Sequence, residues 1–255
     1  MHRDPETEGY SDRLGARSSS AVVILALSAL ALATLPARLP ADGPVTTPAG
    51  YRAVVQHVML PGGVVEEFDE YLDRDGRRVK HGVFMRYYRN GDMREMTTYA
   101  HGVEEGPFQV WQDGNVPLLI GRFAQGKLDG NVTRYYPSGR KQREFTYRAG
   151  ALEGPFVVYH DNGVVQAVGS HKAGKRQGSY AEYHPNAQLR LEGSYLNGFL
   201  NGAVVLYSES GGALAKGKLA RERVRGPWLC LAASGKPEKT RRDCEGKVFW
   251  ECACD

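Results

Sequence analysis

The chain has 255 residues, 24% of them charged and 42% hydrophobic, with a net charge of +4. That composition fits a soluble globular or elongated body, and the length could hold one large or two small compact domains. There is no Gly-x-x-x-x-Gly-Lys-Ser/Thr phosphate loop and no Gly-x-Ser-x-Gly elbow. Asp, Glu and Ser form no His-centred constellation at an interpretable spacing, so the sequence implies neither an enzyme nor a cofactor or small-molecule substrate.

From the N-terminus, the first feature is the apolar run Ala21 to Leu35, preceded by Arg13 and Arg17. As a helix it would span about 23 Å, short of the ~30 Å hydrocarbon core, which favours a secretory signal segment. Ala31-Leu32-Ala33 offers a small-x-small cleavage site, and Ala37 a poorer one. The acidic residues Asp4, Glu6, Glu8 and Asp12 in the long leader keep an uncleaved anchor over residues 18–37 as the alternative. Either way the chain is expected to be exported to the periplasm, cell envelope or exterior, where nucleic acid is rarely met. Residues 1–37 are thus read as signal or anchor, and 38–57, with Pro40, Gly43, Pro44, Pro48 and Gly50, as a flexible linker.

Next comes a ruler of glycines 24 residues apart: Gly82, Gly106, Gly130, Gly154, Gly178, Gly202 and Gly226. Counting each as position 0, position 2 is Phe84, Phe108, Val132, Phe156, Tyr180, Val204 and Trp228. Position 5 is Tyr87, Trp111, Tyr135, Tyr159, Tyr183, Tyr207 and Leu231. Position 17 is Tyr99, Phe123, Tyr147, His171, Tyr195 and Leu219, and position 20 is a second glycine in five successive units. A pattern moving in phase at this period marks a repeat architecture. Each unit reads as a β-hairpin closed by Asn90-Gly91, Asp113-Gly114, Ser138-Gly139 or Asn162-Gly163, and no segment here has helical periodicity. Reflection through the turns sets position 2 opposite position 15, pairing Phe156 with Gly169 and Tyr180 with Gly193. Reflection through the Gly-x-x-x-Gly links sets position 17 near position 2 of the next unit, as in Tyr99 with Phe108. Such hairpins are expected to stack into one elongated, single-layer antiparallel sheet of about seven repeats, an all-β fold.

The run Gly154-Pro-Phe-x-Val-Tyr-x-x-x-Gly163, with Tyr147-x-x-Gly150-x-x-x-Gly154 before it, resembles the MORN repeat, particularly its bacterial variant in tandem arrays. The resemblance covers residues 82–235 and extends to a degenerate unit from about Val58, giving a repeat domain over 58–235. It implies a sheet used for protein contacts and sometimes for membranes; some bacterial relatives carry an antitoxin label, for which no residue here supplies a defined motif.

At the far end lie Cys230, Cys244, Cys252 and Cys254, in a cap expected over residues 236–255. Two disulfides are expected rather than a zinc site, since C-x-x-C ligand pairs are absent and the compartment is oxidising. Cys252 and Cys254 each pair with Cys230 or Cys244, because bridging them to each other would close a strained, tiny loop. His160, His184 and His171 are too far apart on a sheet to share a metal, same-phase residues standing about 9.5 Å apart. The surface expected to carry function is Tyr88, Trp111 and Tyr136 with Arg140, Lys141 and Arg143. Its partner is an unidentified protein, or alternatively anionic membrane lipid reached through the basic hairpins.

Overall fold

A computed structural model of the protein describes residues 52–59, 65–72, 75–232, 234–252 and 254. The signal or anchor over 1–37, and the linker as far as residue 51, lie outside the described residues. Among the described residues, twenty strands form one antiparallel sheet. No helix among the described residues is long and apolar enough to cross a membrane. The sheet opens with strand Arg52–Met59, which takes in residues 52–57 that the sequence reading gave to the linker. This strand pairs with Val65–Leu72, which sets Phe68 opposite Phe84 of strand Arg78–Tyr87. The connection from Leu72 to Arg78 is longer than the links downstream, so this hairpin is a repeat that falls off the 24-residue ruler.

Two kinds of turn alternate. At the hairpin turns the Gly91 N–H donates to the Tyr88 carbonyl (2.9 Å) and the Tyr88 N–H to the Asp92 carbonyl (2.8 Å). Gly91 sits at φ 89°, and Ala187 holds the equivalent place at φ 67°. At the opposite edge two residues link Ala100 to its cross-strand partner Val103. Both are left-handed, His101 at φ 52° and Gly102 at 81°. Two left-handed residues make the turn whose twist matches the flanking strands. Gln125, Ala149, Ala173, Asn197 and Arg221 repeat the conformation of His101, so the link's strain is shared between position 20 and a non-glycine at position 19.

Within the hairpins the register is the expected one: Phe84 pairs with Thr97, Val132 with Phe145, Phe156 with Gly169, Tyr180 with Gly193 and Val204 with Gly217. The second unit, despite its early turn, keeps the rule with Phe108 opposite Gly121. Across the links the register differs from the expectation. Position 15, not position 17, faces position 2 of the next unit: Thr97 pairs with Phe108 and Phe145 with Phe156. The cause is a bulge at the ruler glycine. Gly106 and Gly154 adopt φ of 107° and 113°, and register shifts between Thr97 and Tyr99 and between Leu152 and Phe156. Position 17 packs instead on position 2 of its own unit, as in Phe108 with Phe123 (4.6 Å), Phe156 with His171 (4.7 Å) and Tyr180 with Tyr195 (4.8 Å between ring centroids).

Positions 2 and 15 therefore form a single row across the sheet, a spine in which Phe84, Thr97, Phe108, Val132, Phe156, Tyr180, Val204 and Trp228 are buried. Each buried aromatic of that row contributes about 1.5–3 kcal/mol of transfer free energy. The links help to cover the spine: Lys80 Nζ stands 3.6 Å from the Phe84 ring centroid, and Leu200 Cδ2 packs 3.3 Å from where a Cβ on Gly193 would be.

The last unit closes with the tail. The Gly246 N–H donates to the Val224 carbonyl (2.9 Å) and the Val224 N–H to the Lys247 carbonyl (2.8 Å). Trp228, fully buried, donates its indole N–H to the Cys252 carbonyl (3.0 Å) and packs near Phe249, leaving Trp250 61% exposed. Disulfides join Cys230 to Cys254 and Cys244 to Cys252, with Cα separations of 5.5 and 5.9 Å. The first spans 24 residues, one full period.

Candidate interaction surface

Alternation along each strand sends positions 2, 4 and 15 to the spine face and positions 3, 5 and 14 to the other. On that other face Tyr87, Trp111, Tyr135, Tyr159, Tyr183 and Tyr207 form a row of half-buried rings, repeating every second strand at about 9.6 Å. Acidic neighbours fix two of them. Tyr159 donates its hydroxyl to Glu144 Oε2 (2.5 Å) and Tyr207 donates to Glu192 Oε2 (3.3 Å). Burial first, then the Glu144 hydrogen bond, pushes the Tyr159 phenol well above its ordinary range, and burial with Glu192 raises Tyr207 likewise. Tyr159 and Tyr207 thus keep their protons, and the row offers π-faces and oriented phenols.

The six residues singled out from sequence are not gathered into one patch. Tyr88 and Tyr136 stand at the hairpin turns, where each hydroxyl donates to the carbonyl one unit ahead: Tyr88 to Trp111 (2.9 Å) and Tyr136 to Tyr159 (2.7 Å). Arg140 donates across the same edge to the Asp161 carbonyl (2.7 Å). Lys141 pairs with Glu144 at 2.7 Å, and Trp111 belongs to the ring row. Arg143 lies on the spine face, its guanidinium 5.5 Å from the Phe145 ring centroid.

The histidines take places in this framework. His160 Nε2 donates to the Tyr183 carbonyl (2.9 Å) and His184 Nε2 to the Tyr207 carbonyl (3.0 Å), the same forward reach as Tyr88 and Tyr136. Asn162 and Asn186 extend it, donating to the Pro185 and Glu209 carbonyls. His171 is buried among Phe145 and Phe156; burial first, and the Arg176 charge second, lowers its pKa to about 4. The forward-reaching contacts span 23 residues, a spacing written in the repeat but invisible to a reading that treats each hairpin alone.

The link edge carries a second series. Just before each ruler glycine, Glu105, Asp129 and Glu153 accept the N–H of the left-handed residue one link on: Gln125 (2.7 Å), Ala149 (3.1 Å) and Ala173 (2.6 Å). Beyond them the acids stop, and Gln177, Asn201 and Arg225 fill that place. There a cavity of about 410 Å³ opens, lined by Leu196, Asn197, Phe199, Asn201, Ala220, Arg221 and Arg225.

Comparison with known families agrees with this geometry. The family described as MORN repeat variant matches at residues 80–101 and 128–149. Each window covers one hairpin, and their starts lie two 24-residue periods apart. No curated protein matches the chain. MORN repeats serve in general as protein- or membrane-contact repeats on a scaffold that is in general non-catalytic. With hairpins, ruler glycines and both matched windows in one phase, the chain carries repeats of the MORN variant type at residues 80–101 and 128–149.

Proposed function

We propose that the protein is a non-enzymatic scaffold presenting a β-sheet surface for protein–protein contact in the cell envelope or outside the cell. The observation that carries this reading is the row of half-buried rings from Tyr87 to Tyr207, held at a fixed spacing on the face turned away from the spine. Rigid aromatics with a polar tip lose little entropy on contact and are enriched in protein interfaces. Export is supported by the apolar run Ala21 to Leu35 and by two disulfides, which persist in oxidising compartments.

The alternative of anionic lipid rests on Arg140, Lys141 and Arg143. Arg140 and Lys141 are engaged by Asp161 and Glu144, which favours the protein partner over the membrane. Antitoxin-like binding would be the same contact with one particular partner.

Photo-crosslinking separates these readings. A benzophenone side chain replacing Tyr135 or Tyr183 is expected to trap one protein of defined mass, whereas the same group at the exposed link residue Val103 does not. Equal trapping at all three sites would sink the reading, as would no trapping together with hydrolytic turnover. Salt-sensitive co-sedimentation with anionic liposomes, abolished by Arg140→Ala with Arg143→Ala, would move the function to the membrane.

A further inference from the structure

The break in the acid series on the link edge has a chemical meaning. In the second, third and fourth units a carboxylate occupies one place, accepting the N–H of a residue held at positive φ: Gln125, Ala149 and Ala173. Consecutive N–H groups in such a turn create a small concavity that favours an anion. The first unit has His81 Nδ1 in that role, 3.4 Å from the His101 N–H. At the next two links the backbone is the same, Asn197 at φ 48° and Arg221 at 50°. Gln177 and Asn201 stand where the acids stood, and neither closes the bond, so among the described residues no protein group takes the N–H of Asn197 or Arg221.

The charge reverses there as well. Arg221 and Arg225 line the cavity that opens between these two links, with Asn197 and Asn201 beside them and Phe199, 42% exposed, as an apolar wall. Arg225 lies 3.9 Å from Glu245, but both side chains are at least half exposed and the pair is loose. A site that elsewhere in the same molecule is filled by an internal carboxylate is here left open, apolar on one side and flanked by two arginines.

We infer that the cavity at Asn197, Asn201, Arg221 and Arg225 is a carboxylate-binding subsite for an acidic side chain of a partner protein, with an apolar neighbour of that residue seated against Phe199. A carboxylate there accepts the Arg221 N–H as Glu153 accepts that of Ala173, and pairs with a guanidinium. The subsite deepens the contact-surface reading and rests on it for the ligand being part of a protein.

The test is titration of the ¹⁵N-labelled full chain with a blocked Leu-Asp dipeptide, which has one carboxylate, following the Arg221 and Asn197 amide resonances. Saturable shifts are expected with Leu-Asp, none with blocked Leu-Asn, and weaker ones with acetate. Arg221→Ala is expected to weaken the dipeptide by about tenfold or more. Asn201→Asp supplies an internal carboxylate in the manner of Asp129, and is expected to shift the Arg221 amide without any probe and to abolish the titration. The proposal falls if Leu-Asn matches Leu-Asp, if no saturable shift occurs, or if Asn201→Asp titrates like the parent. Acetate binding as tightly as the dipeptide would overturn the protein source and assign the site to free small carboxylates. If the titration fails while crosslinking from Tyr135 succeeds, the subsite is lost and the scaffold reading stands.

Discussion

Gly169 lies directly cross-strand from Phe156, and a Cβ on it would come within 2.8 Å of the ring's Cε1 while also meeting Tyr180 Cδ2 at 3.2 Å. The missing side chain of one residue is the seat of two rings, one from its own hairpin and one from the next. Gly121 is seated in the same way between Phe108 and Val132.

Gly169→Ala is therefore expected to destabilise the protein by about 1–3 kcal/mol, the usual cost of overpacking. Denaturant unfolding measures it. Combining it with Phe156→Leu should recover part of the loss, giving a coupling of opposite sign to the single effects. Strictly additive effects would show that the ring and the glycine do not share that space.

Ala187 occupies the hairpin-turn position that is glycine in five other units, and it does so at φ 67°. Ala187→Gly relieves that strain at some cost in unfolded-chain entropy, for a net gain of about 0.5–1 kcal/mol. Gly163→Ala, at φ 88° in the preceding turn, is the opposite experiment and should lower the denaturation midpoint.

His171 provides the pH dependence. Its folded pKa, near 4, lies below the ordinary 6.5, so the unfolded chain binds a proton that the folded protein refuses. Stability from this group is complete above pH 6.5 and is lost as pH falls towards 4, by no more than about 3 kcal/mol. His171→Leu should flatten the stability profile between those values, as followed by thermal unfolding. An unchanged slope would show that other groups set it.

Much of the fold was legible because glycine and aromatic residues recur in phase: Gly82 through Gly226 fix the unit, and Phe156 against Gly169 fixes the hairpin register. The link register was not, because the ruler glycine forms a bulge, and a bulge adds residues to one strand without altering the sequence period. Phe145 opposite Phe156 follows only once Gly154 is known to sit at positive φ. The first hairpin, Arg52 to Leu72, escaped the ruler because its link is longer. Tyr88 and Tyr136 looked like free surface, and His160 and His184 had no visible role, because their partners are main-chain carbonyls, which sequence does not distinguish from any others. The link-edge cavity was hidden for the same reason, its missing partner being a backbone N–H.

The forward reach of the turns has a mechanical side. Tyr88, Tyr136, His160 and His184 each fasten their own hairpin to the next, but Gln112, at the same position in the second unit, has a buried amide nitrogen with no partner among the described residues. Its turn closes one residue early, at Gly114, and among the described residues no hydrogen bond joins that turn to the one at Tyr136. In a structure where each unit touches only its neighbours, load passes through every junction in series. Among the described residues the junction between Gln112 and Tyr136 is carried by its strand pairing, Leu119 with Arg134 and Ile120 with Thr133, without the turn-edge bond that fastens its neighbours, whereas the last unit is tied to the tail covalently by Cys230–Cys254.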